Sequence, residues 1–230
     1  MFVMKRVLVI AAHPDDEILG CGGLISKYQS HGVIFKIVFI GEGSTCRFED
    51  PSCEDGLAAI EQRSASAIKA LNCLKIEDIE FNNLPCGRLD QTPIILINKI
   101  IEIAINGFMP DTVLTHSPYD ANNDHKIVFH STIMATRPGA QNHVRRLMSY
   151  EVLSSSEWAY VDAFIPNYFE ELTEQDVEVK WQALSFYESE IKCFPFPRSS
   201  DGIRTLAMMR GMQSGFKFAE AFHLIRMFQR

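Results

Sequence analysis

Apolar, strand-length runs alternate with helix-like segments along the first two thirds of the chain. A strand, a helix and a further strand in succession form a parallel crossover unit, because a tight hairpin joins only antiparallel strands. Four such units follow one another here. The pattern therefore predicts a doubly wound α/β fold, with a mainly parallel sheet and helices on both of its faces.

The predicted strands cover residues 6–12, 34–40, 76–81, 112–116 and 147–153. The predicted helices between them cover residues 20–31, 57–71, 93–106 and 125–136. In the last third, residues 180–192 and 203–211 have helical patterns, and residues 219–227 fit a helix or a late strand. Because prolines separate these segments and no linker is visible, we expect a single domain, 1–230, with a core (1–155) and a C-terminal cap (156–230).

Charge limits the class of partner. The chain has 230 residues and a formal net charge of −7, so neither a nucleic-acid backbone nor an anionic membrane is expected as its main partner. The apolar run after Lys5 and Arg6 is interrupted by His13, which makes it too short for a signal peptide or a transmembrane span. We therefore expect a cytoplasmic protein. Its oligomeric state stays open, a homo-oligomer included.

The six cysteines form no CxxC pair, which leaves a zinc ribbon or a thioredoxin-type motif without support. In a reducing compartment, each cysteine is expected to be a small buried hydrophobe or an idle thiol. One exception stays open, because Cys46 and Cys53 lie in one long loop and are able to meet across it.

Two polar clusters, AHPDDE (12–17) and HSPYDANNDH (116–125), follow the first and the fourth predicted strands. In a doubly wound sheet of strand order 3-2-1-4-5, these two strands are neighbours and the order reverses between them. Ligands bind at such a reversal, outside the carboxyl ends of the strands. We therefore expect the two clusters to line one crevice.

The residue types in the two clusters favour a metal site. Carboxylates packed at the end of a buried strand repel one another unless a cation holds them, and a mixture of imidazole and carboxylate suits Zn²⁺, with Fe²⁺ or another first-row divalent metal as a substitute. The spacing of His13 and Asp16 lets both side chains reach one ion, and His125 would supply the third ligand. Asp15, which lies between two ligands, is then free to act as a general base.

Each of these residues also has a purely structural interpretation. A histidine at the end of a strand is often only hydrogen-bonded within the core. Acidic residues before a helix, here Asp16 and Glu17, often serve only to favour the helix dipole. Two such clusters at one reversal of the strand order favour the metal site.

The segment AHPDDEILGCGG (12–23) resembles the opening motif of the PIG-L/LmbE-like zinc N-deacetylases, which remove acetyl groups from N-acetylglucosaminyl compounds. THSPYDANNDHKIVFHSTIMATRP (115–138) resembles the second metal motif of a bacterial branch of that family. ALSFYESEI (183–191) and FPFPRS (194–199) resemble the C-terminal half of the same branch, so the resemblance covers nearly the whole chain. It implies a Rossmann-like α/β fold with the site at the strand ends.

By position, the resemblance puts the family's zinc ligands at His13, Asp16 and His125 and its general base at Asp15. These are the residues that the spacing also favours.

Two departures from the family pattern affect the groups that assist the reaction. Many relatives have a histidine three residues before the last ligand, and it stabilises the tetrahedral oxyanion. Asn122 stands there in this chain, and its amide N–H₂ is able to donate a hydrogen bond but not a proton. His116 is the candidate replacement. Phe196 stands where this branch often has another histidine.

Four residues are expected to contact the substrate. Arg47, in the long loop after the second strand, resembles an arginine of this branch and would bind a sugar hydroxyl, a carboxylate or a phosphate. Arg88 and Arg198 are expected to do the same. Asp120 is expected either to bind substrate or to orient a histidine ring from behind.

The predicted activity is zinc-dependent removal of the acetyl group from an N-acetylated sugar or glycoconjugate. The alternative is a catalytically degenerate metal-binding member that acts as a binding or partner subunit. Retention of Asp15 argues against it, since a protein that only binds metal needs no base there. A nucleotide-binding oxidoreductase or a serine hydrolase lacks support, because the GxGxxG and GxSxG motifs are absent.

Overall fold

The computed structural model of the protein describes residues 4–139 and 144–229. Within these ranges one sheet has seven strands: β1 Arg6–Ala11, β2 Ile34–Gly41, β3 Ile79–Leu84, β4 Thr112–His116, β5 Arg146–Tyr150, β6 Tyr168–Leu172 and β7 Phe218–Met227. The α-helices around it are α1 Asp16–Gln29, α2 Glu54–Cys73, α3 Ile94–Phe108, α4 Asn123–Ala135, α5 Glu174–Ser185 and α6 Ser200–Ser214.

The strands lie in the order β3-β2-β1-β4-β5-β7-β6. The predicted order 3-2-1-4-5 is confirmed, and so is the Rossmann-like, mainly parallel architecture. Strand β1 pairs in parallel with β2 on one side and with β4 on the other, so that Val9 lies opposite Ile37 and Leu114. The order therefore reverses between β1 and β4, and the two polar clusters follow these two strands.

Alternate residues of β1 serve two separate hydrophobic cores. Val7 and Val9 pack in the core that includes side chains of α1, α2, α5 and α6. Leu8 and Ile10 pack in the other core, with α3 and α4. A strand covered by helices on both faces requires this continuous apolar run, which holds the carboxyl end of β1 in the interior.

Helix α1 begins at Asp16, four residues before the predicted start at residue 20. Asp15 precedes it with a left-handed backbone, φ 116°, which costs on the order of 1 kcal/mol for a residue other than glycine. The Asp15 carbonyl accepts the N–H of Leu19 at 2.9 Å, so the first turn closes on Asp15. Asp16 and Glu17 are consequently buried parts of the helix.

The C-terminal third caps the core and also extends the sheet. Strand β7 pairs antiparallel with β5 and with β6, so residues 219–227 form a strand and not a helix. Helix α5 lies at Glu174–Ser185 instead of 180–192, because Thr173 and Asp176 form a capping box that starts it earlier. In the part of the chain that the structure describes, no helix is long and apolar enough to cross a membrane.

Candidate metal centre and active site

The two polar clusters meet at the carboxyl ends of β1 and β4. His13, Asp15 and Asp16 follow β1, and the loop after β4 leads to His125 in the first turn of α4. All four residues are nearly buried, His13 being 6% exposed and the others 1%. Charged groups at this depth need partners, because burying an unpaired charge is costly.

The Oδ2 atom of Asp16 lies at the centre of the cluster. It is 3.6 Å from Nδ1 of His13 and 3.4 Å from Nε2 of His125. These separations are long for hydrogen bonds, but they are close to the spacing of about 3.3 Å between neighbouring ligands of a tetrahedral zinc ion with bonds of about 2.0–2.1 Å. One ligand atom from each residue lies within 4.8 Å of the other two. The donor set therefore fits a divalent transition metal.

A carboxylate stands behind each of the two histidines. His13 Nε2 bonds to Asp124 Oδ2 at 2.9 Å, and His125 Nδ1 lies 3.1 Å from Asp120 Oδ1. Backbone N–H groups of Gly87 and Leu89 hold Asp124. Such carboxylate–histidine pairs fix the ring and the tautomer, leaving the opposite nitrogen to face a metal.

Burial alone would lower the pKa of both histidines. Hydrogen bonds with Asp124 and Asp16 outweigh this effect and raise the pKa of His13 to about 9. The charge of Asp16 and the contact with Asp120 raise the pKa of His125 to about 10. Burial would raise the pKa of Asp16, but the charge of His125 holds it well below its ordinary value. The carboxylates around His13 and His125 therefore favour positive charge on the two rings. A bound divalent ion would supply that charge in place of the ring protons.

Asp15 faces two arginines instead of the histidines. Its Oδ2 atom lies 3.1 Å from Nη2 of Arg63 and also accepts a hydrogen bond from Nη1 of Arg198. Arg63 donates from Nε to the carbonyl of Pro14 at 2.7 Å, which fixes the guanidinium beside the loop. Burial raises the pKa of Asp15 although both arginines oppose the shift. Among the described residues, no hydrogen bond reaches Oδ1 of Asp15.

Glu190 binds the same arginines from the other side. Its Oε1 forms an ion pair with Arg63 Nη1, and its Oε2 accepts a hydrogen bond from Arg198 Nη1 at 3.2 Å. Arg47 adds a two-pronged pair with both N···O distances at 2.8 Å. Burial would raise the pKa of Glu190, but the hydrogen bond with Arg47 and the charge of Arg63 lower it to about 2. Sequence reasoning missed Arg63 and Glu190, although Glu190 lies in a segment that resembles the family.

His116, the candidate replacement for the oxyanion-stabilising histidine, is fully buried. Its Nε2 accepts the backbone N–H of Ala12 at 2.8 Å, and its ring stacks on His125 with centroids 4.0 Å apart. Burial and the charge of His125 lower the pKa of His116 to about 3. The ring is therefore neutral, and its Nε2 is occupied by the backbone just after β1, whereas its Nδ1 has no hydrogen-bond partner among the described residues.

Asn122 is half-buried at the start of α4. Its Oδ1 accepts the N–H of Asp124 at 2.9 Å and caps the helix. The carbonyl oxygen is therefore used, and the amide N–H₂ keeps its hydrogen-bonding capacity.

Two of the four expected substrate contacts have other partners. Arg198 binds Asp15, and Asp120 is fully buried between His125 and the hydroxyls of Ser155 and Ser156. Asp120 therefore lies where the second of its two expected roles, orienting a histidine ring, would place it. Arg47 is half-exposed at the Glu190 pair.

The exposed side chain of Arg88 makes no hydrogen bond with the described residues.

Cys46 meets Cys86 at 3.1 Å and not Cys53, whose sulfur accepts the N–H of Gly56 in α2.

The sequence also matches known proteins. The model of the PIG-L family, described as GlcNAc-PI de-N-acetylase, matches residues 8–136, which include both polar clusters. Diacetylchitobiose deacetylase of Thermococcus kodakarensis is 28% identical over 229 residues, covering 96% of this chain and 84% of the relative.

Solved structures share the fold. N,N'-diacetylchitobiose deacetylase of Pyrococcus horikoshii superposes with a TM-score of 0.79 at 22% identity, over 97% of this chain and 84% of that one. GalB of Pseudomonas putida KT2440, a 4-carboxy-2-hydroxymuconate hydratase, has a TM-score of 0.75 at 19% identity, over 99% and 98% of the two chains. These likenesses show the fold alone. Because the family model spans more than half of the sequence, the chain belongs to the PIG-L family of de-N-acetylases, enzymes that hydrolyse an amide C–N bond.

Proposed function

We propose that this chain is a zinc-dependent deacetylase that removes the acetyl group from an N-acetylated sugar or sugar conjugate. The observation that carries the proposal is the buried set of His13, Asp16 and His125, whose ligand atoms converge within 4.8 Å. Membership of the family and the likeness to a diacetylchitobiose deacetylase support the amide and sugar parts of the proposal.

The ligand atoms are His13 Nδ1, Asp16 Oδ2 and His125 Nε2. Two imidazoles and one carboxylate form the ligand set of many catalytic zinc sites, and Fe²⁺ or another first-row divalent metal is also compatible with it. Bound there, the ion would supply positive charge that polarises the acetyl carbonyl and makes water more acidic. Asp124 and Asp120 hold the two rings in place for it.

Asp15 moves the proton in this mechanism. Arg63 and Arg198 hold Oδ2, which leaves Oδ1 to accept a proton from the attacking water. The water oxygen forms a bond to the acetyl carbon, and the carbonyl becomes a tetrahedral oxyanion. Protonated Asp15 then donates to the amide nitrogen as the C–N bond breaks, which releases acetate and a free amine.

Other side chains assist the deacetylation by binding or orienting groups, and they transfer no proton. The N–H₂ group of Asn122 is the donor that we assign to the oxyanion, since His116 is committed to Ala12. Arg47 and Arg88 are the arginines that we assign to the sugar or to its conjugate. Arg198 and Asp120 act through Asp15 and His125 and do not touch the substrate.

The fold alone also permits a hydration reaction, because GalB shares it. An acetate-release assay separates the two reactions. Zinc-loaded protein is incubated with N-acetylglucosamine, N,N'-diacetylchitobiose and N-acetylglucosaminyl conjugates, and acetate and free amine are measured together. We expect equal amounts of both from at least one substrate, and their loss after chelation with recovery on adding Zn²⁺. Release of neither product from the whole panel contradicts the proposal.

A further inference from the structure

Two cysteines from separate loops meet beside the candidate active site. Cys46 lies in the short 3-10 turn Thr45–Arg47 after β2, and Cys86 lies in the loop after β3. The Cys86 thiol donates a hydrogen bond to the Cys46 sulfur at 3.1 Å, and both cysteines are free thiols. Nothing in the proposed deacetylation uses this pair.

A buried carboxylate holds the two loops together at this point. Glu42, only 4% exposed, accepts the N–H of Cys86 at 2.7 Å and the N–H of Thr45 at 3.0 Å. The backbones approach so closely that a Cβ on Gly87 would lie 3.1 Å from the Cβ of Cys46. Hydrogen bonds from backbone N–H groups to Glu42 therefore fix both loops that carry the thiols. The thiol pair does not result from two mobile side chains that meet by chance.

The two thiols differ in access to solvent. Cys46 is exposed, whereas Cys86 is 6% exposed. The hydrogen bond from Cys86 lowers the pKa of the Cys46 thiol to about 6. An exposed thiolate next to a buried thiol is the arrangement of a reactive cysteine with a resolving partner.

Each cysteine is one residue away from a group that reaches the candidate site. Arg47, next to Cys46, pairs with Glu190 at 2.8 Å. The N–H of Gly87, next to Cys86, bonds to Asp124 Oδ2 at 2.6 Å, and Asp124 in turn bonds to His13. A covalent link between the two loops would consequently act on both sides of the crevice.

We propose that Cys46 and Cys86 form an oxidation site, at which a low-molecular-weight disulfide converts the thiol pair into an intramolecular disulfide. The Cys46 thiolate attacks one sulfur of the small disulfide, and the other half leaves as a thiolate that takes up a proton. Cys86 then loses its proton and attacks the Cys46 sulfur of the mixed disulfide, which expels the second small thiol. The protein pair is oxidised by two electrons, and the small disulfide is reduced to two thiols.

The test is a mass measurement on the full chain. Reduced, zinc-loaded protein is treated with oxidised glutathione, and the remaining thiols are then blocked. We expect the protein to lose two hydrogen atoms and to yield a peptide that joins Cys46 to Cys86. Cys46→Ser should abolish the link, and Cys86→Ser should leave a stable glutathione adduct on Cys46. Cys193→Ser, which removes another exposed thiol, is the matched control and should leave the link intact.

Two results would overturn the proposal. One is a wild-type protein that keeps a glutathione adduct on Cys46 without closing the ring. The other is a link that joins a different pair of cysteines.

The expected effect of the disulfide on the crevice rests on the proposed function, and it is measured separately, as acetate release. Acetate release by the oxidised wild-type protein should fall several-fold and return after treatment with a dithiol reductant, whereas Cys46→Ser should not respond to the oxidant. A closed disulfide with unchanged acetate release contradicts the coupling. A reduced protein that never releases acetate contradicts the proposed function, and the mass result still decides the oxidation site.

Discussion

Oδ2 of Asp16, in the first turn of α1, lies 3.4 Å from Nε2 of His125, in the first turn of α4. The two helices follow neighbouring parallel strands, so the fold itself brings these atoms together. The same geometry places a carboxylate behind each of the two candidate ligand histidines, His13 and His125.

Asp124→Asn should weaken zinc binding by about tenfold to a hundredfold, because an amide holds the His13 ring less firmly than a carboxylate does. The measurement is competition for Zn²⁺ with a chelator of known affinity. Asp90→Asn, which changes an exposed acid, is the control and should bind zinc as the wild type does. Equal affinity in the wild type and the Asp124 variant would mean that Asp124 does not support a ligand.

Arg63→Lys should lower kcat by about a hundredfold and change KM much less, since a lysine cannot bind Pro14, Asp15 and Glu190 together, and a misplaced catalytic group is costly. Steady-state kinetics of acetate release measure kcat and KM separately. Lys69→Ala, an exposed change on the same helix, serves as the control. A rise in KM with unchanged kcat would show instead that Arg63 binds the substrate.

Glu190→Gln should destabilise the fold in a way that depends on pH. The folded pKa of about 2 lies below the ordinary value of a glutamate, so ionised Glu190 stabilises the protein above that ordinary value, and the stabilisation is lost as the pH falls toward 2. After allowance for solvent screening, we expect a difference in unfolding free energy of about 2 kcal/mol near neutral pH.

Urea unfolding of the wild type and the Glu190 variant at a series of pH values measures this difference. It should be constant above about pH 5.5 and should shrink steadily below about pH 4.5. A difference that does not vary with pH would show that the charge of Glu190 is not what stabilises the arginines.

Gly20→Ala should destabilise the protein by about 1–3 kcal/mol, the usual effect of overpacking a core. A Cβ on Gly20 would lie 2.2–2.8 Å from three ring atoms of Tyr150, whose hydroxyl bonds to the carbonyl of Ile10. Gly107→Ala, in a helix position where a Cβ meets nothing within 4 Å, should instead stabilise by about 0.5–1 kcal/mol. Thermal unfolding of both variants checks the pair, and equal effects would contradict the close packing of α1 on β5.

Local patterns predicted most of the fold. The buried runs of β1, β2, β4 and β5 are apolar and regularly spaced, so their positions and order follow from the sequence. Strand β6 was not predicted, because YFEEL is a short edge strand with two acidic residues. The start of α1 at Asp16 was missed, because the left-handed Asp15 is held by tertiary contacts that no local pattern reveals.

The convergence of His13, Asp16 and His125 was predictable because His13 and Asp16 are close in sequence and the strands before the two clusters are neighbours. The partners of Asp15 were not, because Arg63 and Glu190 come from a helix and a loop distant in sequence. The bond of His116 to Ala12 was not predictable for the same reason, since it joins residues 104 positions apart in sequence. Cys86, which lies 40 residues from Cys46, could not be recognised as its neighbour.

The measurement that tests the central claim most directly is zinc content and acetate release of Asp15→Asn, with Asp55→Asn as an exposed control. Asp15 is assigned to proton transfer and not to metal binding, because its carboxylate faces Arg63 and Arg198. The variant should keep one zinc ion per chain and lose acetate release by at least about a hundredfold. Loss of zinc would show that Asp15 is a ligand, and full activity with zinc bound would show that another residue is the base.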